Sequence, residues 1–193
     1  ISRYILMPYL EKFHKKFPKV DIKIINHLST ELVTLLRNGD VDLIILNLPM
    51  KDHKDLKILL LLTVQDLFVG NAEYFQKTKG CIKVDELQNY PLITQKEPSN
   101  TRNFLNAYLK KNQVPIISNY ETVSYGLVID FVKAGFGIGY ATKEFILDDL
   151  KKQELFEIKV LPQIPKREIG VVLLNKSVPN YSTKKLLEIM GLM

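Results

Sequence analysis

The sequence of 193 residues predicts an α/β protein made of two similar Rossmann-like lobes. Two observations carry this. Strand-length apolar segments alternate with helix-length amphipathic ones along the whole chain, the pattern of α/β sheets. A helix–glycine–strand unit also occurs twice, as ELVTLLRNGDVDLI at 31–44 and as GLVIDFVKAGFGIGYA at 126–141. Aligning Gly39 with Gly135 pairs Leu32 with Val128, Val33 with Ile129, Leu35 with Phe131, Leu36 with Val132 and Arg37 with Lys133. The separation is too wide for a solenoid, whose repeats run about 20–50 residues. Any helix–glycine–strand unit shares this look, so the pairing alone leaves a chance likeness open beside paired lobes.

The second unit contains GFGIG, which resembles a phosphate-cradling loop. A dinucleotide loop needs a strand before its glycines and a helix after them, so that the helix N-terminus faces the phosphates. Here the order is reversed. Leu127, Val128, Phe131 and Val132 recur at helical spacing before the glycines, and a strand follows. Gly135 therefore reads as the residue just past a helix C-terminus, where positive φ is needed. Gly137 and Gly139 thin a buried strand where neighbouring backbone approaches closely.

The elements follow in order. The chain opens inside an amphipathic helix with Ile5, Leu6, Tyr9, Leu10, Phe13 and Phe17 on one side, ended by Phe17-Pro18. An α/β domain normally has a strand before such a helix, so the chain is expected to be a fragment of a longer protein. Residues 20–25 alternate as a strand, 31–38 form a helix and 42–46 a strand. Extended segments are expected at 56–63 and 66–69, a short helix at 85–88, a strand at 91–94, a helix at 101–111 and a strand at 115–120. After the glycine stretch come a brief helix at 146–150, strands at 155–161 and 168–174, and a last helix at 182–190. Strands separated by helices argue for parallel sheets. No Gly/Ser-rich linker appears, so ordered chain near residues 67–71 and 168–172 is expected to join the lobes.

Composition excludes several classes. Hydrophobic residues make up 46% and charged residues 25%, ordinary for a globular protein. The longest apolar run, ILLLL at 58–62, is strand-length and cannot span a bilayer. The net charge of +6 could suggest nucleic acid, but the lysines are scattered in pairs such as Lys15-Lys16, Lys110-Lys111 and Lys151-Lys152. No basic stripe interleaves with aromatics, so direct nucleic-acid contact by this chain is not expected. Cys81 is the one cysteine, which excludes an internal disulfide and fits a reducing compartment.

Catalytic and metal-binding patterns are missing. His14, His27 and His53 have no metal-ligand spacing with one another, and HExxH, GxSxG and Walker loops are absent. Ser182 and Lys185 match an SxxK spacing, but a serine cap of the last helix explains it. Asp40 and Asp42, two apart on a strand, are weak evidence for acid–base work. No catalytic residue, metal or cofactor is expected.

Three helix starts stand out: Ser29-Thr30-Glu31, Ser99-Asn100-Thr101-Arg102 and Thr122-Val123-Ser124. Such side chains commonly cap backbone N–H groups and do nothing more. They could instead converge in a cleft between lobes, where the helix dipoles and hydroxyls would hold an anionic or polar small molecule. The carboxyl ends of strands in open α/β sheets form such a crevice.

PYLEKFHKKFPKVDIKI followed by STELVTLLRNGDVDLIIL resembles the opening of the effector-binding domain of LysR-type transcriptional regulators. The resemblance continues through VDELQNYPLITQKEPSNTRNFLNAYL, VSYGLVIDFVKAGFGIGYATK and REIGVVLLNK with its final helix, and so covers essentially the whole chain. It implies a two-lobed, type II periplasmic binding protein-like fold, with two crossover strands and a cleft between the lobes. One lobe would hold residues 1–70 and 169–193 and the other 71–168. It further implies a small-molecule effector in the cleft, a homodimer or tetramer, a cytoplasmic location and an N-terminal helix-turn-helix DNA-binding domain outside this chain. Carried onto this sequence, the family's effector contacts are Ser29, Thr30, Ser99, Asn100, Thr101 and Ser124. Arg102, with the helix N-termini, is a candidate anion contact and points to an anionic metabolite.

Two departures from the family pattern stand out. The family's first strand and the Ser/Thr-bearing loop after it would precede Ile1. Lys96-Glu97-Pro98 also replaces a more usual glycine-containing approach to the helix. Two other classes share the two-lobed plan. A periplasmic or extracellular solute-binding protein would carry a signal peptide upstream. An enzyme related to porphobilinogen deaminase or prephenate dehydratase would need a convergent charged pair with strongly perturbed pKa values.

Overall fold

A computed structural model describes residues 2–50, 54–115, 118–176 and 178–193, and the chain divides into two compact units. The first comprises Ile1–Thr63 with Arg167–Met193, the second Val64–Lys166. His53 and part of the strand expected at 115–120 lie outside the described residues.

The first unit is built on a three-stranded sheet. Its strands are β1 (Ile44–Leu48), β2 (Leu56–Val64) and β9 (Arg167–Leu174), in the order β1-β9-β2. Both faces of β9 are used, because side chains alternate across a strand. Val172 packs with Val33, Leu36, Ile44, Leu46 and Leu56, under helix α2 (Ser29–Asn38). Val171 and Leu173 pack with Leu187 and Met190, beside helix α7 (Tyr181–Ile189). Helix α1 (Met7–Lys16), entered through a π-helical turn, buries Leu10 and Phe13. It ends at Phe17, whose ring lies 5.1 Å from that of Phe13. Helix α2 ends at Gly39 with φ 77°, the left-handed cap expected there.

The second unit has a six-stranded sheet in the order β4-β8-β3-β7-β5-β6. The strands are β3 (Asp66–Gly70), β4 (Cys81–Lys83), β5 (Leu92–Gln95), β6 (Tyr120–Thr122), β7 (Ile138–Thr142) and β8 (Phe156–Leu161). β3 and β7 are buried along their whole length. Phe68 faces a core shared with Leu105, Leu109 and Tyr140, on the side of helix α4 (Asn100–Lys111). Leu67 and Val69 face the opposite core with Val128, Ile129 and Val132 of helix α5 (Tyr125–Lys133). Helices α3 (Ala72–Lys77) and α6 (Leu147–Lys151) are short, and α3 with β4 had no counterpart in the sequence reading. A 3-10 helix over Val84–Asn89 stands where a short helix was expected.

The glycine stretch folds as its reversed order requires. Helix α5 closes at Ala134, Gly135 follows with φ 81°, and β7 begins at Ile138. A Cβ on Gly137 would overlap the carbonyl of Pro91, and one on Gly139 would overlap the Val132 side chain. Close backbone approach therefore holds at Gly137, while at Gly139 the neighbour is a side chain.

Three expectations are corrected. Residues 21–28 form no strand, and Ile22, Ile24, Ile25 and Leu28 are exposed. Alternation marks a segment able to pair, but a strand exists only where a neighbour supplies the ladder. The sheets are mixed, not parallel. β5 pairs parallel with β6 and β7, and β4 with β8, whereas β3–β7, β3–β8 and β1–β9 are antiparallel. β3 follows β2 after the single residue Gln65, and β9 is reached without an intervening helix, so neither needs the parallel sense of a helical crossover. Finally, Asp40 and Asp42 precede β1, which starts at Ile44. Asp42 instead accepts a hydrogen bond from Asn180 Nδ2 at 2.8 Å.

Candidate functional site

In the second unit two predicted helix starts meet at the carboxyl ends of neighbouring parallel strands. β5 and β6 pair with Gln95 opposite Thr122, and each runs directly into a helix start. Ser99 caps α4: its Oγ accepts from Arg102 N at 3.1 Å. Ser124 caps α5, accepting from Leu127 N at 3.4 Å. The two starts are tied together. Lys96 N donates to Thr122 O at 2.9 Å, and Ser124 N donates to Thr122 Oγ1 at 3.1 Å.

Gln95, which the sequence reading did not single out, lies between them. Its carboxamide oxygen accepts from Ser99 Oγ at 3.1 Å, and its Nε2 donates to Val123 O at 3.4 Å. The available signal was its place as the last residue of a strand ahead of a Ser/Asn/Thr helix start. Asn100 is exposed and Thr101 half-buried in the first turn of α4.

Arg102 is buried at 7% exposure and turns beneath this rim. Nε donates to Asn106 Oδ1 at 2.8 Å, and Nη1 pairs with Glu121 Oε1 at 2.8 Å. Nη1 also donates to the Thr94 hydroxyl and to Gln95 O at 3.4 Å. A guanidinium supplies five donors in a rigid fork, which suits it to joining β5, β6 and α4 at one point. Its charge already has a carboxylate partner, so it is not an open cation.

Ser29 and Thr30 belong to the first unit, in the opening turn of α2. The hydroxyl-cap reading is corrected here. The residue before the helix is Leu28, whose N–H donates to Glu31 Oε2 at 3.1 Å, and His27 Nδ1 meets the same oxygen at 3.1 Å. Ser29 is half-buried and Thr30 exposed. The last helix differs in the same way: Asn180, not Ser182, caps α7, accepting from Thr183 N at 2.8 Å.

The other candidates stay dispersed. His14 is exposed on α1 and Cys81 is exposed on β4. Among the described residues no group of three His, Cys, Asp or Glu side chains is placed to hold a metal ion. No described helix is long and apolar enough to cross a membrane. Away from the site, burial pushes the Tyr108 phenol up to about 12, while its hydroxyl donates to Pro162 O at 2.6 Å.

The second unit thus gathers two helix starts on the ends of neighbouring strands, the position of the crevice in open α/β sheets. The chain belongs to the LysR substrate binding domain family, whose pattern matches residues 1–191. It is 27% identical over 139 residues to the HTH-type transcriptional regulator CysB of Burkholderia cenocepacia, covering 72% of this chain and 44% of that protein. It is 28% identical over 161 residues to the HTH-type transcriptional regulator PecT of Dickeya dadantii, covering 83% and 47%. The chain thus spans about half the length of these relatives.

Its fold matches the regulatory domain of Synechocystis PCC6803 CcmR, solved in complex with 2-PG, with a TM-score of 0.84 at 18% identity, covering 98% of this chain and 91% of that one. The effector binding domain of QuiR in complex with shikimate matches at 0.76 and 14%, covering 98% and 90%. The architecture is the type II periplasmic binding protein-like fold. The family is one of transcriptional regulators and not of enzymes, and it does not favour a secreted solute-binding protein.

Proposed function

We propose that this chain is the effector-sensing part of a cytoplasmic LysR-type transcriptional regulator, acting as a homodimer or tetramer. Its DNA contact would be made by an N-terminal helix-turn-helix domain of the longer protein. The effector is a small, anionic metabolite. Ser99, Asn100, Thr101 and Ser124 of the second unit hold it, together with Ser29 and Thr30 of the first. The observation carrying this is the joined pair of helix starts at the ends of β5 and β6, where Gln95 links Ser99 to Val123 beside Ser124. Hydroxyls and first-turn N–H groups gathered on strand ends suit the oxygen atoms of a carboxylate or phosphate. That CcmR and QuiR were solved with 2-PG and shikimate supports an effector of this size and oxygen content.

Arg102 contributes mainly by holding Gln95 and β6 in place. An anion meets it directly only by displacing Glu121, whose side chain is 40% exposed. Binding would act on the DNA-binding domain by favouring one arrangement of units or subunits, through a difference in affinity between arrangements. The test is a thermal-shift screen of organic acids, phosphorylated acids and amino acids. A ligand at a hundred times its Kd adds about 2.7 kcal/mol, a rise of roughly 5–10 °C for a chain of this size. The Ser99→Ala, Ser124→Ala double variant should lose most of that rise. A flat screen, or a shift unchanged in the double variant, counts against the reading.

A further inference from the structure

Gln65 stands where the chain passes between units: the first unit ends at Thr63, and β3 begins at Asp66. It is bound on several sides to the second unit. Its N–H is shared by the two carboxylate oxygens of Glu144, at 3.2 and 3.1 Å, and its carbonyl accepts from Lys143 N at 2.8 Å. Its Nε2 donates to Asp66 O at 2.7 Å and to Ile164 O at 3.0 Å. The last bond matters most, because Ile164 lies on the return passage, just before the second unit ends at Lys166. Ile164 is itself fixed, 6% exposed in the core with Phe68 and Tyr108.

We infer that Gln65 is a cross-tie between the two chain passages joining the units, and that reorientation of the units is taken up beyond the tie, at the exposed Thr63 and Lys166. A hinge motion places its φ/ψ changes in a few residues at element ends. On the outgoing passage, residue 65 cannot supply them without breaking its bonds to Lys143, Glu144 and Ile164. On the return passage, Ile164 is held by the tie and by its core contacts. Pro165 has a locked φ and restricts the residue before it, and Arg167 is buried with its guanidinium donating to Asn47 Oδ1, which leaves the exposed Lys166 to turn. With the tie cut, only its core contacts hold Ile164, and no hydrogen bond from residue 65 couples the two passages. This joint goes beyond the effector reading, since it works the same way whatever binds.

The test uses no ligand, so its failure would leave the effector reading untouched. Spin labels on cysteines replacing Glu11 and Lys151, exposed positions in the first and second units, are read by pulsed electron double resonance in a Cys81→Ser background. Gln65→Ala removes the tie; Gln65→Glu keeps the length but has no donor when ionised. In both, the distance distribution should broaden. Amide exchange at Lys143, whose N–H donates to the Gln65 carbonyl, should quicken about three- to tenfold, the effect of losing one hydrogen bond at the joint. Gln163→Ala, at an exposed neighbour, should change neither. Unaltered distributions and exchange in both Gln65 variants would overturn the proposal. Should neither variant fold, the wild-type side chain decides. A slowly exchanging Gln65 carboxamide resonance supports the tie, and a solvent-like, rapidly exchanging one refutes it.

Discussion

Arg102 shows what a single residue contributes. From its place in a helix start it reads as an anion contact, yet its guanidinium is buried and shared among Thr94, Gln95, Asn106 and Glu121. Removing a buried charge strands its partners, so Arg102→Met should cost about 2–4 kcal/mol in urea denaturation. Glu121→Gln, at a part-exposed carboxylate, should cost about 1 kcal/mol or less. Tyr108 gives a pH signature. Burial raises its folded pKa from 10.0 to about 12, so the folded state keeps a proton that the unfolded state gives up. Its contribution is complete below pH 10 and is lost as pH rises towards about 12. Tyr108→Phe should therefore flatten part of the alkaline fall in stability, measured as a difference between the two proteins so that lysine titration cancels. Ser99 and Ser124 were legible as helix starts because hydroxyl caps are a local signal. Gln95 was not, because the direction of a strand-end side chain depends on which strands become neighbours.

The helix–glycine–strand units are the clearest elements. Gly39 and Gly135 both take the left-handed conformation past a helix end. Within the second unit the glycines should differ sharply in their tolerance of alanine. Gly126→Ala falls inside α5, where the nearest atom to a new Cβ is Ser124 Oγ at 3.8 Å. It should stabilise by roughly 0.5–1 kcal/mol through helix propensity. Gly137→Ala drives a Cβ into the Pro91 carbonyl and should cost more than about 2 kcal/mol. Urea midpoints of the two variants, moving in opposite directions, are the check. The segment at 20–25 teaches the opposite lesson. VDIKII alternates like a strand, but alternation fixes only which side chains share a face. Pairing depends on a neighbour the segment cannot specify. The same limit explains the mixed sheets, because strand direction follows from how β3 and β9 are reached and not from their own residues.

At the scale of the molecule, the charge of +6 invites a nucleic-acid reading that its distribution does not support. The chain alone should show only weak, salt-sensitive DNA binding, largely gone at about 200 mM salt in a mobility-shift assay. Sequence-selective retention at that salt would contradict the proposal that DNA contact belongs to another domain. The two units also differ in make-up. The second closes two cores around a six-stranded sheet, while the described part of the first builds on three strands. The periodic likeness between residues 31–44 and 126–141 therefore marks a shared local unit set in two unlike sheets.

By itself the sequence determined the α/β class, the order of most helices and strands, the glycine-capped helix ends and the family resemblance. Each of these rests on spacing within a few turns of chain. Only the tertiary structure decided that β3 and β9 run antiparallel to their partners, that Arg102 is neutralised by Glu121, that Gln95 joins two helix starts, and that Gln65 reaches Ile164. These depend on residues far apart in the chain, whose meeting is set by packing and by the need of buried polar groups for partners. No local pattern encodes that.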